Sequence, residues 1–73
     1  MEREKQEAII EAVLFTMGES VEISKLAELI EETKGNTKKI VYEMKEKLAQ
    51  QNRGIDIVEL EDSFQMCTKT EMY

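Results

Sequence analysis

Apolar positions along this chain recur at a helical period as far as Leu48 and then switch to alternation. From about Glu4 to Met17, the residues Ile9, Ile10, Val13, Leu14 and Met17 share an arc of roughly 140°, the core-facing side of an amphipathic helix. Gly18 ends that helix, because glycine takes the left-handed conformation just past a helix end at no steric cost. Ala8, Ala12 and Phe15 form a second strip, separated from the core arc by Glu4, Glu7 and Glu11. A buried core makes no use of it. A second helix is predicted from Ile23 to Glu32, with Ile23, Leu26, Ala27, Leu29 and Ile30 inward and Glu22 or Ser24 at its start. A third is predicted from Thr37 to about Gln51, capped by Asn36 or Thr37, with a narrow stripe of Ile40, Val41, Met44 and Leu48. Gly35 and Gly54 are read as the ends of the second and third segments.

Beyond Gly54 the period is two. Ile55 and Ile57 share one face, Val58 and Leu60 the other, and Phe64, Met66 and Thr68 alternate with Gln65, Cys67 and Lys69 across a turn at Glu61, Asp62 and Ser63. A hairpin alone is marginal in water, so it must pack on the helices. Three helices and a terminal two-stranded wing make a mainly α chain with the winged helix-turn-helix arrangement.

Length and composition narrow the function. With 73 residues the chain is expected to be one domain spanning 1–73. At that size folding buries about 60% of the unfolded chain's surface, so such domains lean on a disulfide, a metal or a partner. The single Cys67 excludes an internal disulfide, and the absence of histidine leaves no usual zinc or haem ligand set, so no metal or cofactor is expected. A partner remains. No apolar run approaches the roughly 20 residues of a membrane span, and the start lacks a basic-then-apolar signal peptide. With one lone thiol, this points to the reducing cytosol.

Catalysis has little to stand on. Acid-base chemistry without histidine would fall to carboxylates or lysines, and the close pairs Glu31–Glu32 and Glu61–Asp62 sit at an expected helix end and turn. No glycine-rich phosphate cradle or nucleophile with a neighbouring base is visible. Cys67, in a hairpin strand with no activating neighbour, reads as an inert strand residue.

Nucleic acid is the serious rival. Between Lys34 and Arg53 there are six basic and two acidic side chains, whereas the remainder has fourteen acidic and four basic ones. Lys38, Lys39, Lys45 and Arg53 would be the phosphate contacts of a recognition helix in a transcription regulator. Glu43 and Glu46 interrupt that face, Glu59, Glu61 and Asp62 make the wing acidic, and the net charge is −6. Direct DNA binding is therefore expected to be weak or absent. The lysines then read as a solvated face with pairs such as Glu43–Lys47. Surplus apolar surface instead favours an interaction module whose interface draws on Ala8, Ala12, Phe15, Tyr42 and Ala49.

Three blocks in order carry a resemblance over nearly the whole chain. Ala8-Ile9-Ile10-Glu11-Ala12-Val13-Leu14-Phe15 with Gly18-Glu19, Ile23-Ser24-Lys25-Leu26-Ala27-Glu28, and Arg53 to Glu59 with Phe64 to Glu71 resemble the segregation and condensation protein B family. Ser20, where a proline is common, and the less basic Met66-Cys67 depart from its pattern. The resemblance implies a non-enzymatic scaffold of a bacterial chromosome condensation and segregation complex. It implies a homodimer that supports the kleisin subunit ScpA and, through it, the ATPase that structurally maintains chromosomes. It also implies a cytoplasmic place at the nucleoid. The family carries two tandem winged-helix domains, of which this chain matches the first; much of the kleisin contact belongs to the second.

Overall fold

The computed structural model of the protein describes residues 1–51 and 54–68. Helix α1 (Arg3–Met17) buries Gln6, Ile10 and Leu14 along one line, with Ile9 and Val13 packed against its flank. It stops where Gly18 adopts φ 64° and its N–H reaches back to the Leu14 carbonyl. Met17, expected inside, is half exposed, because it is the last helical residue and lies beyond Leu14, the last fully buried one.

Two residues, Val21 and Glu22, then form strand β1, an element the apolar period does not reveal. Helix α2 (Ile23–Ile30) follows at once and buries Ile23, Leu26, Ala27 and Ile30 at the spacing expected, while Leu29 is turned to solvent. It ends two residues earlier than the sequence suggests. Glu31 takes the left-handed conformation at φ 59°, and the N–H groups of Glu31 and Glu32 close on the carbonyls of Glu28 and Ala27. That is the bonding a terminal glycine usually provides.

Helix α3 (Lys34–Gln50) therefore begins three residues before its expected start, and Gly35 lies in its first turn instead of closing α2. The physical reason is Thr33. Its hydroxyl oxygen accepts from the Asn36 N–H at 3.1 Å, and its carbonyl accepts from the Thr37 N–H at 2.9 Å and the Thr37 hydroxyl at 2.8 Å. Thr37 is thereby fully buried inside the helix, not its cap. The stripe Ile40, Val41, Met44 and Leu48 packs as expected.

Strands β2 (Ile55–Leu60) and β3 (Ser63–Thr68) form the antiparallel wing, joined through Glu61 and a left-handed Asp62 at φ 60°. β1 adds to the other edge of β3, pairing Val21 with Phe64, so the sheet order is β1-β3-β2. The Asp62 carbonyl accepts the N–H of Ile23 at 2.9 Å. The wing turn thus satisfies the first orphan donor of α2, a bond that Glu22 at the cap position does not make with its side chain. Phe64, fully buried, sits where the sheet meets the helices, with Ile10, Leu14, Leu26, Ile30, Ile40, Val41 and Ile57 also shielded from solvent. The arrangement is the winged helix, with a third short strand added to the two of the wing.

Candidate interaction surface

The structure brings Ala8, Ala12 and Phe15 together on the outer side of α1, around a shallow depression completed by Glu11 and Thr16. Phe15 is 76% exposed and does not pack inward against the wing. Among the described residues it is the most exposed of the large hydrophobic side chains. The other two proposed interface residues lie on α3. Ala49 is exposed, but Tyr42 is already engaged: its ring meets Phe64 edge to face at 6.2 Å, and its hydroxyl donates to the Glu59 carboxylate at 2.9 Å. That hydrogen bond, more than desolvation, pushes the Tyr42 hydroxyl above its ordinary 10.0.

The basic residues fare differently. Lys45 donates to both oxygens of Asp56, at 3.2 and 3.3 Å, and to the Ile57 carbonyl at 2.8 Å. Asp56 in turn accepts the Ile57 N–H at 2.8 Å. Ile57 belongs to β2, the open edge of the sheet, so this pair occupies backbone groups that would otherwise template another strand. Lys45 is spent on the wing. Lys38 is half-buried beside Glu22 and Asp62, and Lys39 is exposed. Arg53 lies outside the described residues. The Glu43–Lys47 pair does not form: Glu43 takes Arg3 at 2.6 Å and Lys47 takes Glu7 at 3.0 Å. Glu43 and Lys47 are thus both drawn to α1, whereas Lys34, Lys38 and Lys39, in the first half of α3, enter no ion pair among the described residues.

A second concavity lies between α1, α3 and β3. Ala8, Met44, Leu48 and Met66 make its floor, and Glu4, Glu7, Glu11 and Lys47 its rim, around a volume of about 250 Å³. Among the described residues no cluster of cysteine or carboxylate side chains could hold a metal ion, and no helix is long and apolar enough to cross a membrane.

The residue that sequence reasoning missed is Gln6. Only 3% exposed, it donates through Nε2 to the Ile30 carbonyl and to Glu32 Oε2, each at 3.1 Å. Bonds from Gln6 first and Asn36 second hold the Glu32 carboxyl below its ordinary 4.5. One signal could have found it: at about 100° per residue Gln6 falls in the middle of the apolar arc of α1.

Residues 8–73 match the family model described as "Segregation and condensation complex subunit ScpB". The segregation and condensation protein B of Lachnoclostridium phytofermentans is 48% identical over 73 residues, covering all of this chain and 39% of the relative. That of Agathobacter rectalis is 49% identical over 67 residues, covering 90% of this chain and 36% of the relative. The chain thus spans about two-fifths of the length of these relatives. Its fold is similar to a crystal structure of a dimer of the ScpB N-terminal domain complexed with a ScpA peptide, with TM-score 0.85, 32% identity, and coverage of 93% of this chain and 85% of that one. ScpB of Mycobacterium tuberculosis, at 19% identity, shares the fold with TM-score 0.89 over 99% of this chain and 45% of that one.

Proposed function

The chain belongs to the segregation and condensation protein B family, and from that membership we propose that it is a dimerising, non-enzymatic scaffold domain of a bacterial chromosome condensation and segregation complex, cytoplasmic and held at the nucleoid through that complex. Its partners are a second copy of itself and a peptide segment of the kleisin subunit that bridges the ATPase. A related domain of the same fold crystallised as a dimer with a ScpA peptide, which supports both partners.

One observation carries the reading. Phe15 stands 76% exposed beside Ala8 and Ala12, on a helix whose opposite side carries Gln6, Ile10 and Leu14 into the core. Small side chains let two helices approach closely, and a lone aromatic supplies an anchor. In a two-fold interface the same ring is buried twice, each burial contributing roughly 1.5–3 kcal/mol.

The test is Phe15→Lys, followed by sedimentation and thermal melting. The proposal expects a folded monomer from a dimeric parent. A variant that stays dimeric and folded would move the interface off this strip.

A further inference from the structure

We propose that the groove between α1, α3 and β3 is the docking site for a basic, amphipathic helical segment of a partner protein. The inference rests on the reading of this domain as a holder of a peptide segment, and adds where the segment lies and what recognises it.

The floor is apolar and adaptable. Met66, partly buried, is a flexible thioether that can reshape around an inserted side chain, the core residues Met44 and Leu48 close the floor beneath it, and Ala8 keeps the α1 wall low. A volume of about 250 Å³ falls below the roughly 300–1,000 Å³ of small-molecule sites and suits one or two side chains of a peptide.

The rim supplies the sign. Glu4, Glu7 and Glu11 follow one another along α1 at single-turn spacing on the side that faces the groove. Glu7 is taken by Lys47 from the opposite wall, while Glu4 and Glu11 have no partner among the described residues. The two free carboxylates are about 10 Å apart along the helix, at ~1.5 Å per residue. A helix laid in the groove would set two anchors spaced i and i+4 on the floor and bring Lys or Arg, two turns apart, over Glu4 and Glu11. A second copy of α1 fits badly here, since it would set these glutamates against their own equivalents.

The test is a fluorescence-anisotropy titration of the full chain with two labelled synthetic helical peptides of about four turns. One has leucines at the anchor spacing flanked by lysines; the other replaces every lysine with glutamate. The lysine peptide is expected to bind at least tenfold more tightly, with affinity falling as salt rises. Glu4→Gln combined with Glu11→Gln should weaken it roughly five- to tenfold. Amide NMR shifts should centre on Met44, Leu48 and Met66. Lys25→Gln, on the exposed side of α2 and outside the groove, should leave this affinity within about twofold.

Equal affinity for the two peptides, indifference to the double substitution, or shifts centred on Phe15 would each overturn the assignment. Sedimentation of the same samples separates the two readings. A dimer that ignores the lysine peptide refutes the groove alone, whereas a monomer that binds it refutes the dimer alone.

Discussion

Replacing Gln6 tests how α1 and α2 are held together. The four last carbonyls of a helix have no intrahelical partner. In α2, the N–H groups of Glu31 and Glu32 serve those of Ala27 and Glu28, and Leu29 is exposed. The Ile30 carbonyl has the Gln6 amide, which arrives from the opposite helix at 3.1 Å. Gln6→Leu keeps the side chain's bulk and makes it more apolar, but leaves that carbonyl without its donor. An orphaned buried acceptor costs about 1–3 kcal/mol, which the gain in apolar burial offsets only partly. Gln6→Ala adds a void, so about 2–3 kcal/mol is expected in total. For a domain of this size that lowers the melting temperature by roughly 10–20 °C.

The assay is urea unfolding at fixed protein concentration, because a self-associating chain gains stability by mass action. It also has an acid limb. Glu32 is held below its ordinary 4.5 in the folded state, so its contribution is present above that value and is lost as the pH falls through the folded one. Removing the Gln6 donor moves Glu32 back toward 4.5, and the loss of stability on acidification should become shallower. Gln6→Leu matching the parent in stability across the whole pH range would refute the reasoning.

Gly35 has open space where a Cβ would sit and lies in the first turn of α3, so Gly35→Ala should stabilise by about 0.4–1 kcal/mol, read as a higher urea midpoint with unchanged slope. Glu31→Gly should also stabilise, by up to about 1 kcal/mol in the same assay, since it relieves a left-handed residue that carries a Cβ. Thr33→Ala should cost about 0.5–2 kcal/mol by removing the cap of α3, measured by thermal melting. In a spectrophotometric titration, Tyr42 should ionise above 10.0 in the parent and closer to it in Glu59→Gln. Because the folded tyrosine holds its proton more tightly than the unfolded one, its contribution is lost as the pH rises through the folded value.

Contiguous residues carry much of this fold. The core arc of α1, the buried spacing of α2, the stripe of α3, the glycine stop at Gly18 and the alternation of the wing are periods or caps, decided within a turn or two of chain. The exposed strip with Phe15 was legible for the same reason: it is what remains of a helix face once the core arc is assigned. Tertiary structure decided everything that needs a partner far along the chain. Strand β1 exists because Val21 finds Phe64, and α2 starts where the wing turn offers the Asp62 carbonyl. Gln6 is tolerated inside because Ile30 and Glu32 meet it. Lys45 and Tyr42 look like free surface residues in sequence, and it is the folding of the wing against α3 that gives them Asp56, Ile57, Glu59 and Phe64 as partners. The division is physical: backbone geometry and side-chain period are local properties, whereas a buried polar group or a short strand is stable only when a distant segment supplies its hydrogen bond.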